Sequence, residues 1–148
     1  MKERFETFTV LVNRISRNIR KIKNQEMAEY NLRSAHVSCL YYLYTNAGAT
    51  ATDLCERCEE DKATISRALD YLELNGYIVR EGESAKRYKS PIALTEKGAE
   101  AGKKIADKID GVLEAVSDGM TEEERIAFYR NLSIISESLD SISKNGEK

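Results

Sequence analysis

The sequence predicts a mainly α-helical protein with one small β-hairpin, and three observations support this fold class. Of its 148 residues 32% are charged and only one is proline, which is typical of ordered, helix-rich chains. Apolar residues recur every three or four positions through most of the chain, which is the spacing of one helix face. Between residues 77 and 94 this spacing gives way to β-branched and aromatic residues on both sides of a polar, glycine-containing turn.

The composition also limits the setting in which the protein works. Three cysteines are an odd number, which argues against a secreted disulfide framework. No apolar run is long enough for a membrane span, and the charged N-terminus lacks the apolar core of a signal peptide. We therefore expect a cytoplasmic protein with no membrane partner.

The first predicted element is a long helix over residues 3–29. Its apolar residues step by three and four and form a seam too narrow to cover a globular core alone. We expect this seam to pack against a partner helix in a second subunit. The seam consists of Phe5, Phe8, Val12, Ile15, Ile19 and Ile22.

Two shorter helices follow. After a break at 31–35, a second helix is predicted over 34–44 with an apolar face. Asn46 and Gly48 mark the next turn. The third helix, ATDLCERC, begins after Thr50, which forms a capping box with a residue three positions later.

The stretch DKATISRALDYLELNG, residues 61–76, predicts the helix around which the chain is organised. Asp61 is a good N-cap, and Asn75-Gly76 ends the helix. One face carries an apolar stripe, and the opposite face is small and polar around Arg67. A helix that enters a DNA major groove needs this layout, although an ordinary surface helix also shows it. The short helix just before it favours a helix-turn-helix.

A two-stranded wing is predicted next. Residues 77–80 form the first strand, and residues 88–94 return as the second, with Pro91 placing it at a sheet edge. Basic residues at or near the tip suit insertion into a minor groove. These residues are Lys86, Arg87 and Lys89.

Two long helices complete the chain. Thr95 caps a helix that runs to about residue 118, and Thr121 with Glu124 forms the capping box of the last helix. The last helix has a thin apolar seam like that of the first, so we expect both to form a joint dimer interface. The second seam consists of Phe128, Leu132, Ile135, Leu139 and Ile142.

The chain resembles the MarR family of winged helix-turn-helix regulators. The likeness rests on TATDLCERCEEDKATISRALDYLELNGYIVR and on LTEKG, whose spacing fits the family without gaps. With the terminal helices it covers nearly the whole chain. It implies one intertwined domain with an N-terminal dimerisation helix (1–30), a winged DNA-binding lobe (31–95) and C-terminal dimerisation helices (96–148).

The resemblance implies a homodimeric bacterial transcription factor, usually a repressor, which a small aromatic or phenolic effector releases from double-stranded DNA. The predicted effector-pocket residues are His36, Tyr41 and Tyr44. The predicted DNA-binding residues are Lys62, Ala63, Thr64, Ser66, Arg67, Arg80, Lys86, Arg87 and Lys89. Among these, Lys62 would touch phosphate and Arg80 would brace the wing.

Two features depart from the family pattern. The wing carries Lys86, Arg87 and Tyr88 where the family usually has Asp-x-Arg, so either basic residue could enter the minor groove. The turn before the recognition helix carries Glu59 and Glu60 where the family usually has a glycine and an apolar residue. Carboxylates there oppose the approach of phosphate.

The sequence leaves two other functions open and argues against a third. His36 and Cys39, with Cys55 and Cys58, have a zinc-like spacing, so a metal- or thiol-sensing regulator is one alternative, although core packing explains these cysteines better. A protein-interaction module that has lost DNA binding is the second. An enzyme is not expected, because the sequence lacks a nucleophile elbow and a phosphate-binding loop. No cofactor and no resident metal are predicted.

Overall fold

The computed structural model describes residues 2–58, 60–82 and 87–146, apart from the side chains of residues 2, 3, 5 and 87. The chain divides into two compact units, Met1–Asp107 and Lys108–Lys148. None of the helices in these described ranges is long and apolar enough to cross a membrane. The elements are α1 (Lys2–Glu26), α2 (Ser34–Thr45), α3 (Ala51–Cys58), α4 (Lys62–Leu74), β1 (Ile78–Arg80), β2 (Ile92–Leu94), α5 (Glu96–Ser117) and α6 (Glu122–Asn145).

Helix α1 ends three residues earlier than predicted. A single 3₁₀ turn, Ala28–Tyr30, follows it, and Asn31 then adopts left-handed backbone with φ of 57°. Asparagine accepts this conformation more readily than most residues. Met27 and Leu32 flank the turn and are each only 1% exposed. The chain turns here because both side chains enter the core.

The core of the first unit is built from α2, α3, α4 and the hairpin. Leu40, Leu54, Ile65 and Leu72 are fully buried in it, and Leu69 is nearly so. The apolar stripe predicted for α4 is therefore confirmed. Burial of a side chain of this size stabilises the fold by roughly 1.5–3 kcal/mol. Because the stripe must face the core, the rotation of α4 about its own axis is fixed.

Two helices begin with the reciprocal caps that the sequence predicts. The Asp53 carboxylate accepts the Thr50 backbone N–H at 2.8 Å, and the Thr50 hydroxyl accepts the Asp53 N–H at 3.3 Å. At the start of α6, Glu124 accepts the Thr121 N–H at 2.8 Å, and the Thr121 hydroxyl accepts in return at 3.2 Å. Such caps satisfy backbone donors that have no partner within a helix.

The wing is shorter than predicted. Strands β1 and β2 pair antiparallel, with Ile78 opposite Leu94 and Arg80 opposite Ile92. The predicted return strand over 88–94 is wrong in its first half, since Arg87–Lys89 forms a 3₁₀ turn. Pairing begins only after Pro91, which lacks the N–H that a ladder requires. The tip residues 83–86, including Lys86, lie outside the described residues.

A close backbone approach joins α5 to the hairpin. The Thr95 hydroxyl donates to the Gly76 carbonyl at 2.6 Å and accepts the Gly98 N–H at 3.1 Å. A Cβ atom added at Gly98 would lie 1.9 Å from the carbonyl oxygen of Tyr77. Only glycine therefore allows the first turn of α5 to pack directly on the residue that precedes β1.

Gly98→Ala should destabilise the protein by at least about 3 kcal/mol, because the added methyl group collides with backbone and not with a movable side chain. Gly111→Ala in the same helix is the matched control, since nothing lies within 4 Å of its added Cβ. The control should gain up to about 1 kcal/mol of helix propensity. Urea denaturation measures both, and equal midpoints for the two variants would refute the close approach.

Candidate nucleic-acid interface

The outer face of α4 presents small polar side chains around one arginine. Asp61 precedes the helix in extended backbone, and its carboxylate accepts the Thr64 N–H at 2.7 Å, as predicted for an N-cap. Arg67, one turn further on, donates from Nη2 to the Thr64 hydroxyl at 3.3 Å. The other exposed residues in the first turns of α4 are Lys62, Ala63 and Ser66. No bulky group stands in front of this face among the side chains that the structure describes on α4.

Tyr88 holds the base of the wing against the helix-turn-helix. Its hydroxyl lies 3.1 Å from the Cys55 sulfur on α3. Its ring lies under the Lys62 ammonium, 4.3 Å from the ring centroid, in a cation–π contact. The hydrogen bond with Cys55 raises the pKa of Tyr88 to about 12, so the phenol stays protonated at neutral pH. One side chain thus links the wing to both α3 and α4.

Arg80 joins the end of β1 to α4. Its Nη2 atom donates to the Asp70 carboxylate at 2.7 Å and to the Glu73 carboxylate at 3.2 Å, and Nε lies 3.4 Å from Glu73. The Arg80 side chain is only 10% exposed. Because both carboxylates belong to α4, these charged hydrogen bonds fix the position of the hairpin relative to that helix.

Two of the three carboxylates at the start of α4 are engaged within the protein. The Glu60 carboxylate lies 3.9 Å from the Arg20 guanidinium of α1. Asp61 caps α4, and the hydrogen bond from the Thr64 backbone lowers the pKa of its carboxyl. Glu59 lies outside the described residues. The acidity of this turn is thus partly balanced by a neighbouring cation and by helix N–H groups.

The predicted wing contacts are described only in part. Lys89 lies in the 3₁₀ turn after the hairpin tip and is exposed to solvent. Lys86 and the side chain of Arg87 fall outside the described residues. The choice between these two as the minor-groove residue therefore stays a prediction.

The three residues predicted for the effector pocket lie on α2. His36 accepts the Arg33 N–H at Nδ1 with a length of 3.0 Å, and its ring stacks on Tyr71 with centroids 4.3 Å apart. Burial, and secondarily Arg33, lowers the pKa of His36, so the ring is a neutral acceptor at pH 7. Tyr41 is half-buried and Tyr44 is 40% exposed. His36 thus caps α2, and a role in effector binding stays a prediction.

The structure does not assemble the zinc-like spacing into a site. No group of three or more His, Cys, Asp or Glu side chains able to hold a metal occurs in the described part of the chain. The Cys55 sulfur lies 3.1 Å from the Tyr88 hydroxyl, whereas Cys39 is fully buried. Cys39 is therefore a core residue, whereas Cys55 and Cys58 are only half-buried.

The predicted dimer residues are exposed in this single chain. On α1, Phe8, Val12, Ile15 and Ile19 are 36–55% exposed, while the side chain of Phe5 is not described. In the second unit, exposure along the stripe of α6 ranges from 39% at Ile135 to 68% at Ile142. The other members of that stripe are Phe128, Leu132 and Leu139. Apolar stripes of this length are unusual on a monomer's surface.

Comparison with known proteins shows which family and which relatives this chain resembles. A model described as the MarR family matches residues 30–87. The chain is 26% identical over 114 residues to the uncharacterised HTH-type transcriptional regulator YybA of Bacillus subtilis, a match that covers 77% of this chain and 76% of that protein.

Solved structures agree with this match. A MarR-family regulator of Silicibacter pomeroyi is 27% identical with a TM-score of 0.74, covering 84% of each chain. A Listeria monocytogenes member in complex with a 26mer DNA is 26% identical with a TM-score of 0.78, covering 86% of this chain and 85% of that one. Residues 30–87 thus match the MarR family, and the winged-helix fold of the chain is that of MarR-family regulators. The MarR family is a class of transcriptional regulators and not of enzymes.

Sequence reasoning missed several contacts in this MarR-family fold. The partners of Arg80 had a detectable signal, because Asp70 and Glu73 are three residues apart on one helix face. Tyr88 stands out in the sequence only as a departure from the family pattern. Its contact with Cys55 spans 33 residues, and no local pattern reports such a distance.

Arg80→Gln should lower the free energy of unfolding by about 1–3 kcal/mol, because two carboxylates lose a charged hydrogen-bond donor that is largely shielded from water. Lys103→Gln is the matched control, since its ion pair with Asp107 lies on an exposed helix surface, with both side chains more than 60% exposed. The control should leave the urea midpoint unchanged. An equal midpoint for both variants would contradict the bracing role of Arg80.

Proposed function

We propose that this MarR-family regulator binds double-stranded DNA as a homodimer in the bacterial cytoplasm and represses transcription until a small aromatic or phenolic effector releases it. The observation that carries the proposal is the outer face of α4, where Ser66 and Arg67 are exposed and Thr64 is half-buried, on a helix whose opposite face is buried. The structure of the Listeria relative in complex with a 26mer DNA supports DNA as the ligand of this protein.

The recognition helix would lie in a major groove. A helix fits that groove when its outer face carries small side chains and a few hydrogen-bond donors. Ala63 provides the small surface, and Arg67 provides a planar group that can donate two hydrogen bonds to guanine. The contact of Arg67 with Thr64 holds the guanidinium on the outer face before DNA arrives.

The wing and the first turn of α4 would contact the DNA backbone. Lys62 is exposed at the start of α4 and is held over Tyr88, which keeps its charge near the wing. Lys89, with Lys86 or Arg87 at the tip, adds positive charge on the wing side. Since phosphate contacts give affinity without sequence information, these lysines would set the salt dependence of binding.

Dimerisation would use the apolar stripes of α1 and α6. We propose the functional division that the sequence suggests, with residues 1–30 and 96–148 serving dimerisation and residues 31–95 serving DNA binding. A two-fold dimer presents two copies of α4, which read two half-sites about one helical turn apart. One short helix and one wing would otherwise provide little specificity.

Release would follow from a shift in the spacing of the two recognition helices. An effector that binds better to a dimer with another spacing lowers the population that fits the operator. His36, Tyr41 and Tyr44 are the proposed contacts, because aromatic rings stack on aromatic ligands and Tyr44 is 40% exposed.

Arg67→Ala should weaken binding to a duplex from the region upstream of the protein's own gene by roughly five- to 150-fold, equivalent to about 1–3 kcal/mol. Arg67→Lys is the matched control, because it keeps the charge and removes the planar pair of donors. It should keep the salt dependence of the wild type while losing discrimination against a shuffled duplex. Fluorescence anisotropy at two salt concentrations measures both quantities, and absence of wild-type binding at low salt would overturn the proposal.

Ile135→Lys on α6 should convert the dimer to a monomer at micromolar concentration, because a charge would be buried in the apolar interface. Glu137→Lys is the control, since it lies on the opposite side of the same helix. Sedimentation velocity gives the oligomeric state of each variant. A wild type that sediments as a monomer would refute the dimer, as would a dimer that tolerates lysine at position 135.

A further inference from the structure

Helix α1 carries a concentration of positive charge that the predicted dimer seam does not use. Residues 7–25 contain five basic residues and no acidic one, although the whole chain has a formal net charge of −2. Two of the five are engaged within the chain, since Arg20 pairs with Glu60 and Lys23 donates to the Ser38 hydroxyl. The other three form the surface that we call the basic stripe of α1. These residues are Arg14, Arg17 and Lys21.

The basic stripe occupies one side of the helix and is open to solvent. At about 100° per residue, its three members fall within a sector of roughly 60°. All three are exposed. None of the ion pairs found among the described residues involves Arg14, Arg17 or Lys21. Three positive charges therefore face solvent together, and a local patch of this kind attracts anionic partners even on an acidic protein.

The basic stripe lies away from the predicted subunit interface. The apolar seam of α1, which includes Val12 and Ile15, is centred about 150° around the helix axis from the basic stripe. A second subunit that packs on the seam would therefore leave the stripe exposed. The stripe is thus available for another partner in the proposed dimer.

A contact at the other end of α1 places this helix beside the start of α4. The Arg20 Nη2 atom lies 3.9 Å from Oε1 of Glu60. Glu60 directly precedes Asp61, the N-cap of α4. Lys21 follows Arg20 in the chain, so the C-terminal part of the basic stripe lies near the end of α4 at which Lys62 is proposed to contact phosphate.

We propose that the basic stripe of α1 is a second phosphate-binding surface, which contacts the backbone of double-stranded DNA beside the half-site that α4 reads. This inference rests on the proposed function, because it extends the same interface. The stripe spans about 10 Å along the helix axis, and duplex DNA carries one negative charge per roughly 1.7 Å. Each cation can therefore neutralise a separate phosphate, which raises affinity for every sequence alike.

The acidic turn before α4 gives the basic stripe a further consequence. Glu60 and Asp61 place negative charge where phosphate would approach the helix. Charges act over about 8 Å at physiological ionic strength, so cations on the adjoining part of α1 offset this repulsion. This position favours DNA over an acidic protein segment as the partner, because DNA bound to α4 lies close to the same surface.

The test compares a variant that lacks the stripe with a charge-matched control. Arg14→Gln/Arg17→Gln/Lys21→Gln removes the three charges and changes helix propensity little. The control replaces three exposed basic residues of α6 with glutamine, so it changes the net charge by the same amount. These residues are Arg125, Arg130 and Lys144. Sedimentation velocity compares the oligomeric state of both variants with that of the wild type.

Fluorescence anisotropy over a series of salt concentrations measures binding to the upstream duplex and to a shuffled duplex. The stripe variant should bind both duplexes at least about tenfold more weakly at low salt. The slope of log affinity against log salt should decrease by about 2 or more, since each lost phosphate contact removes about 0.9. The α6 control should stay within about twofold of the wild type.

A charge-conserving variant separates an electrostatic role from a structural one. Arg14→Lys/Arg17→Lys should bind like the wild type, because lysine holds a phosphate as a point charge and needs no planar fork. Weak binding by this variant would overturn the inference. So would dissociation of the glutamine variant into monomers, because that result would place the stripe in the subunit interface.

The remaining outcomes separate this inference from the proposed function. Failure of the wild type to bind either duplex at low salt would refute both. Binding by the wild type, with an unchanged affinity and salt slope in the stripe variant, would overturn the inference alone and would leave an acidic protein as the partner of this surface. An equal loss of affinity in the α6 control would also overturn it, because net charge would then explain the effect.

Discussion

Burial of one stripe of α4 is the constraint on which the remaining structure depends. Ile65, Leu69 and Leu72 contribute roughly 1.5–3 kcal/mol each when they leave water, so the helix cannot rotate without a large loss of stability. The same constraint turns Thr64 and Arg67 outward. The core thus decides which side chains the protein offers to a partner, and stability and recognition are properties of opposite faces of one helix.

Tertiary contacts then hold the other DNA-facing parts against α4. Arg80 ties β1 to the acidic edge of the helix, and Tyr88 ties the far side of the wing to Lys62 and to α3 through Cys55. A two-stranded hairpin has little stability of its own. Its attachment at two points lets a short wing keep a fixed position.

The order of helices, their caps and the buried stripe of α4 could be predicted because each is encoded within a few residues. The wing could be predicted only in outline. Tyr88 continues the β-type pattern, yet it lies in a 3₁₀ turn, and its hydroxyl contacts Cys55, which lies 33 residues earlier. Which residues of different elements meet is decided by tertiary packing. A local sequence pattern carries no information about those contacts.

Hydrogen–deuterium exchange of the full-length protein, with and without a duplex from upstream of its own gene, tests the central claim most directly. The account predicts slower exchange in residues 61–70 and in the wing when the specific duplex is present, with a smaller effect from a shuffled duplex of equal length. Protection confined to other segments, with unchanged exchange across residues 61–70, would contradict the assignment of α4 as the recognition helix.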